Sequence, residues 1–285
     1  MPPGALPTIS MPRLHVYKYQ GAGNDFVVID NRRGEAAFLT PSLINRLCDR
    51  RFGVGADGLM TLCSSDRAGF GMRYYNADGP EGTMCGNGGR CLVAFADFLG
   101  IRTFDFEACD GLHRAEVTER HGAGCTVRLQ MCDATPPVRY ADGWLLETGS
   151  THFVQWVSGL ETFDVDGEGR RLRRDARFPK GANVNFVEPQ ADGLFVRTYE
   201  RGVEAETWAC GTGATASALA SYLRGEKCYA VLAENGAERI KFAVRMRGGG
   251  LAVDFIPLPD GSFRDVWLTG PAVRVFETDI DPEVL

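Results

Sequence analysis

With 285 residues, 44% of them hydrophobic and 24% charged, the chain has the make-up of a soluble protein long enough for two domains. A formal net charge of −6, with lysines and arginines scattered, argues against a nucleic-acid partner. No stretch reaches the roughly 20 apolar residues that span a bilayer, because the best candidate, residues 91–99, is interrupted by Asp97; no membrane association and a cytoplasmic location are expected.

In chain order, the opening MPPGALPTISMPRL is proline-rich and lacks an apolar core of signal-peptide length, so it reads as a disordered leader or an upstream start before Met11. The alternating runs LHVYKY and FVVID predict strands. Between them, GAGNDF resembles part of a dinucleotide fingerprint, but Phe26 occupies the third glycine position, and nucleotide binding is rejected. A helix is predicted over 40–51, a strand at GMRYYN, and a helix over 86–99. Strands follow at TVRLQM and GWLLET, then a short basic loop at 170–177, then strands at NVNFVEP and LFVRTYE. A helix over 211–224 precedes strands at LAVDFI and LTGPAVRVF. Strands dominate, with few helices.

Nine cysteines, at 48, 63, 85, 91, 109, 125, 132, 210 and 228, form an odd set without secretory context, so reduced thiols are expected. No spacing is CxxC, and the second cysteine of CGNGGRC, Cys91, belongs on a buried helix face, so no metal is expected. Cysteines other than 85 and 210 read as small buried hydrophobes.

The strongest organising signal is an internal repeat. The run FGMRYYNADGPEGTMCGNGG from Phe70 parallels LFVRTYERGVEAETWACGTG from Leu194, pairing Arg73 with Arg197, Tyr75 with Tyr199, Asn76 with Glu200 and Cys85 with Cys210. Each cysteine lies fifteen residues before a glycine, Gly100 or Gly225, suited to end its helix. GNDFVVID at 23–30 is echoed more loosely by ANVNFVEP at 182–189. Two copies of one α/β unit are expected.

A cysteine at a helix N-terminus feels the positive end of the dipole, which favours the thiolate, and the free amides there form a carboxylate site. A dipole worth about 0.3–1 kcal/mol moves a thiol by less than the 1.36 kcal/mol of one pKa unit, so hydrogen bonds and a cation would have to supply the rest. Two such units facing each other would put one sulfur on each face of a planar intermediate. That is the geometry of a two-base racemase, in which one thiolate removes the α-proton and the opposite thiol returns one, while oriented amides stabilise the developing charge.

The stretches GAGNDFVVID, FGVGADG, YNADGPEGTMCGNGGRC, TGSTH, ANVNF, YERGVEAETWACGTGA and LTGPAV resemble, in order and over nearly the whole chain, the diaminopimelate epimerase family. The resemblance implies an α+β fold of two pseudo-symmetric α/β units, each a mostly antiparallel sheet wrapped around a central helix. The first unit would span 1–130, joined by a C-terminal strand at 268–285, and the second 131–267. It implies a cofactor-free isomerase interconverting LL- and meso-diaminopimelate, feeding lysine and cell-wall precursor synthesis, with a small amino-acid substrate and a homodimeric assembly. Carried over at matching positions, Cys85 and Cys210 are the paired acid and base, assisted by His152 and Glu200. Gly86, Asn87, Gly211 and Thr212 hold the reacting carboxylate, Thr212 standing where a serine is common. Asn24, Asn76, Asn183, Glu200 and Arg201 bind substrate, the arginine gripping the distal carboxylate.

Departures bear on the substrate. TGSTH stands where the family often reads TGNPH, so Ser150 replaces an asparagine at the distal end of the substrate and Thr151 a proline; Gly58 lies where some members carry glutamine. Two other functions therefore stay open: a racemase of another amino acid, of the histidine, proline or hydroxyproline type, and a non-catalytic binding protein. Phe276, where members often carry a dimer-contact tyrosine, is expected in the core. Two sulfurs flanking one carbon are also expected to join as a disulfide under mild oxidation.

Overall fold

The structure, a computed structural model, describes residues 12–227, 229–232 and 238–285. The leader up to residue 11 and Cys228 lie outside the described residues.

The first half runs β1 (Leu14–Gly21), β2 (Asn24–Asp30), α1 (Pro41–Cys48), β3 (Gly58–Cys63), β4 (Phe70–Asn76), α2 (Gly86–Phe98), β5 (Phe106–Ala108), β6 (Gly111–His113), β7 (Ala115–His121) and β8 (Gly124–Gln130). The second runs β9 (Val138–Tyr140), β10 (Gly143–Glu147), β11 (Thr151–Trp156), α3 (Val165–Arg173), β12 (Asn183–Gln190), β13 (Gly193–Glu200), β14 (Ala205–Thr207), α4 (Gly211–Arg224), β15 (Tyr229–Leu232), β16 (Glu238–Met246), β17 (Gly249–Pro257) and β18 (Phe263–Ile280). The two halves repeat one pairing scheme. β2 lies parallel to β3, which is antiparallel to β4, and β11 lies parallel to β12, which is antiparallel to β13. β12 therefore answers β3 rather than β2, which corrects the looser echo read between residues 23–30 and 182–189: the partner of β2 is β11.

In each half the continuous sheet curls around one helix. α2 packs against β1–β4, β7, β8 and β18, and α4 against β10–β13 and β16–β18. Both are apolar nearly all round, as expected of a central helix: Asn87–Ala96 and Gly213–Ser221 are buried without interruption. The glycines at the start of α2 make this possible. A Cβ on Gly88 would lie 2.9 Å from Met60 Sδ, and one on Gly89 3.3 Å from both Leu129 and Phe106. Gly100 and Gly225 both take left-handed backbone (φ 83°), the conformation that favours glycine past a helix end.

Four local expectations change. α1 ends at Cys48 rather than 51, after Thr40 accepts the Leu43 N–H at 3.2 Å. Of the basic loop, residues 170–173 are instead the end of α3, where Asp164 caps Gly167 N at 2.9 Å and Arg170, Arg171 and Arg173 face the negative end of the dipole, while 174–177 lie outside the helix. Cys109 and Cys132 are exposed rather than buried. Phe276 is 44% exposed, next to the exposed Val275, and so lies outside the core.

β18 joins the halves. Its first part pairs with β17 up to Ala252↔Thr269, and from Gly270 it pairs with β8 and then β1, ending at Leu14↔Ile280. Leu268, fully buried at the crossover, touches both helix starts: its Cδ2 would lie 3.6 Å from a Cβ on Gly86 and 2.7 Å from one on Gly211. Leu268→Ala should therefore cost about 2–5 kcal/mol in a denaturant titration, and a loss under 1 kcal/mol would mean that the helix starts do not depend on this side chain.

Candidate active site

Cys85 and Cys210 are the N-cap residues of α2 and α4, and neither makes a side-chain cap. The two helix starts meet. Asn87 Nδ2 donates to the Ala209 carbonyl at 3.0 Å, and a Cβ on Gly211 would lie 4.0 Å from Gly86 Cα. Both cysteines line one cavity of about 740 Å³. Of the residues singled out in the sequence, Asn24, Asn76, Gly86, Asn87, Ser150, Asn183, Glu200, Arg201, Gly211 and Thr212 line it too. His152 does not; it is fully buried behind Ser150 and Thr212.

The pair arises from sequence in the same way on both sides. A strand, β4 or β13, ends in Asn76 or Glu200, and a loop returns the chain to a cysteine in extended conformation before a glycine-rich helix start. The first helical amides then face the sulfurs: those of Asn87 and Gly88 reach Cys85, and that of Gly213 reaches Cys210.

These contacts lower the thiol pKa values, yet burial outweighs them and raises both, that of Cys210 well above the ordinary range. The helix N-terminus favours the thiolate, as expected, but the amides and the cation do not offset the burial of either sulfur. The cation on the Cys85 side is Arg90, fully buried, whose guanidinium donates to Asn87 Oδ1 at 2.8 Å and to the Gly86 carbonyl at 3.3 Å. On the other side, burial raises the Glu200 carboxyl, which accepts hydrogen bonds from Cys210 and from Thr207 Oγ1 at 2.5 Å. A basic carboxylate beside a thiol can take its proton.

His152 is separated from the cavity by two hydroxyls, those of Ser150 and Thr212. Asn185 turns Nδ2 to the Phe153 carbonyl at 3.3 Å while its Oδ1 accepts from Thr198 at 2.9 Å, so Nδ2 donates to His152 Nδ1 at 2.9 Å. The ring proton therefore sits on Nε2, 2.9 Å from both Ser150 Oγ and Thr212 Oγ1, and Thr212 Oγ1 is 3.4 Å from Cys210 Sγ. The sequence reading missed Asn185, Asp57 and Thr207. FGVGADG and YERGVEAETWACGTGA contain the latter two, but nothing local distinguishes them from loop residues. Arg201 is aimed by its own neighbours: its N–H donates to Asn183 Oδ1 at 2.8 Å and its Nη1 to the Lys180 carbonyl at 2.9 Å. Among the described residues, no group of three or more His, Cys, Asp or Glu side chains is placed to hold a metal ion.

The family model "Diaminopimelate epimerase" matches residues 16–135 and 144–255. The chain belongs to the diaminopimelate epimerase family. It is 44% identical to the diaminopimelate epimerase of Flavobacterium psychrophilum, covering 94% of this chain and 100% of that one. It is 43% identical to that of Chlorobaculum tepidum (91% and 98% covered) and 38% identical to that of Aquifex aeolicus (95% and 99%). Solved structures of similar fold include a Bacillus anthracis phenazine biosynthesis protein of the PhzF family, with TM-score 0.70, 14% identity and coverage of 95% and 99%. A probable proline racemase from Agrobacterium radiobacter K84 gives TM-score 0.65, 16% identity and coverage of 94% and 92%. At such identities these two speak to the fold alone: two pseudo-symmetric α/β units around central helices.

Burial lowers His152 from 6.5 to about 3. The unfolded ring, titrating near 6.5, takes up a proton that the folded ring refuses; this contribution to stability is complete above that pH and is lost as pH falls toward 3. In folded protein the His152 ring resonances should stay unshifted by NMR from pH 8 to pH 5, and a midpoint near 6 would show that the ring meets solvent.

Proposed function

We propose that the chain epimerises diaminopimelate between its LL and meso forms, without a cofactor, by proton transfer between Cys85 and Cys210. The observation that carries this is the placing of the two helix-capping cysteines on one cavity, in a member of this family. In one direction Glu200 accepts the Cys210 proton, and the resulting thiolate removes the α-hydrogen of the substrate. Cys85 then delivers its thiol proton to the opposite face, which leaves product, a Cys85 thiolate and a protonated Glu200. The reverse direction uses the same groups in the opposite order. The α-ammonium group of the substrate favours the thiolate that burial disfavours. The helix-start groups of Gly86, Asn87, Gly211 and Thr212 hold the α-carboxylate and stabilise the charge that develops on it.

The His152 ring serves as a neutral donor that turns the Thr212 hydroxyl toward Cys210. Asn24, Asn76, Ser150 and Asn183 bind the rest of the substrate, and Arg201 grips the distal carboxylate, a site Ser150 is small enough to leave open. A cytoplasmic homodimer is part of this reading, supported by the exposed Val275 and Phe276 on β18 and by the finding that no helix among the described residues is long and apolar enough to cross a membrane. We divide the chain into 1–130 with 268–285, and 131–267, because β18 changes partners at Thr269 and Gly270.

Incubated in heavy water with a panel of amino acids, the protein should place deuterium at the α position of diaminopimelate. Label in another amino acid and none in diaminopimelate would reassign the substrate. Cys85→Ala and Cys210→Ala should each lower kcat by about 10²–10⁴-fold or more, and retained turnover in either would exclude the two-base scheme. Mild oxidant should inactivate the enzyme reversibly through a Cys85–Cys210 disulfide. Full activity after oxidation, with both thiols free by mass spectrometry, would reject that step.

A further inference from the structure

The cavity wall on the Cys85 side contains a carboxylate, Asp57, to which the scheme above gives no task. Asp57 Oδ2 accepts from Asn24 Nδ2 at 2.6 Å, and its Oδ1 accepts from Arg50 at 2.7 Å. Arg50 also clamps Asp25, which pairs with Lys18 at 2.6 Å, so the carboxylate is held from behind by a lattice of charges. An ionised carboxylate only accepts hydrogen bonds. Facing it, the Asn24 amide must present its NH2 group, and its carbonyl oxygen then points the other way. That oxygen receives Asn87 Nδ2 at 3.2 Å and the Cys85 thiol at 3.7 Å. Asn87 cannot reverse in response, because its own oxygen is taken by Arg90 and its Nδ2 also reaches the Ala209 carbonyl. Cys85 thus meets a lone pair, which suits S–H and opposes S⁻.

We infer that Asp57 is a positioning residue that holds Cys85 as the proton-carrying member of the pair by fixing which end of the Asn24 amide faces the sulfur. Its value for turnover rests on the proposed function; the orientation itself does not. The other groups facing Cys85 are Glu200, Arg90, Tyr74, Cys91 and Cys210, and none of them contacts the Asn24 amide. With an asparagine at 57, position 57 both donates and accepts, and Asn24 is free to turn its NH2 group to the sulfur and stabilise the thiolate.

The test is iodoacetamide alkylation of the full chain against pH, read at the Cys85 peptide by mass spectrometry in a Cys210→Ser background. Asp57→Asn should lower the midpoint by about one pH unit, a tenfold gain in thiolate below both midpoints. Arg50→Gln, which loosens the same ion-pair lattice but keeps the carboxylate on Asn24, should leave the midpoint in place. In Asn24→Ala the further change Asp57→Asn should move nothing, and in Cys85→Ser it should not move Cys210. An unmoved or raised Cys85 midpoint, an equal shift from Arg50→Gln or at Cys210, or additivity with Asn24→Ala would overturn the inference. Alkylation needs no substrate, so a chain that fails to epimerise diaminopimelate yet shows the shift would refute the function and leave this inference standing.

Discussion

The site depends on the close approach of two helix N-termini in the interior. A helix start carries N–H groups without intrahelical partners, and burying them without caps is costly. Here two such starts are buried together, and the cysteines that occupy the cap positions supply no side-chain cap. The Asn87 amide reaching across to Ala209 ties one start to the other, while Gly86 and Gly211 keep side chains out of the gap above Leu268. Amides at a helix start of this kind suit an anion.

Burial also decides the resting chemistry. A helix dipole is worth about 0.3–1 kcal/mol, whereas removing a thiolate from water is a larger effect, and the balance lies with the thiol at both cysteines. The two sides differ in how they manage this. Cys210 sits between the Glu200 carboxyl and the Thr212 hydroxyl, which His152 also touches, while Cys85 faces an amide oxygen and an arginine below it. A pseudo-symmetric fold thus carries an asymmetric pair.

Much of this was legible in the sequence, for a physical reason. A duplicated unit repeats its constraints, so the two glycine-rich helix starts, the strand ends at Asn76 and Glu200 and the glycines closing each helix stood out against each other. α3 was hidden because the two glycines and three arginines in its VDGEGRRLR run carry little apolar periodicity, and its helix rests on the Asp164 cap and the burial of Val165 and Leu172. Arg90 was hidden because nothing local tells a buried guanidinium from a surface one; its place follows only from α2 being enclosed on all sides. The roles of Asn185 and Asp57 required contacts across 33 residues each, from His152 and Asn24, which no local pattern records.

β18 has a consequence for how the molecule comes into being. The ring of strands around α2 is completed by residues 270–280, which pair with β8, Gly270 meeting Val127, and then with β1 across some 260 positions of sequence, Tyr17 meeting Glu277. Domains emerging from the ribosome usually fold in the order in which they are made. Here the earlier half must wait, its sheet open along the edges of β1 and β8, until synthesis has passed through the later half. Maturation of the Cys85 side is thereby coupled to completion of the Cys210 side, and a stalled nascent chain would expose two unpaired edges where the finished molecule has a closed wall.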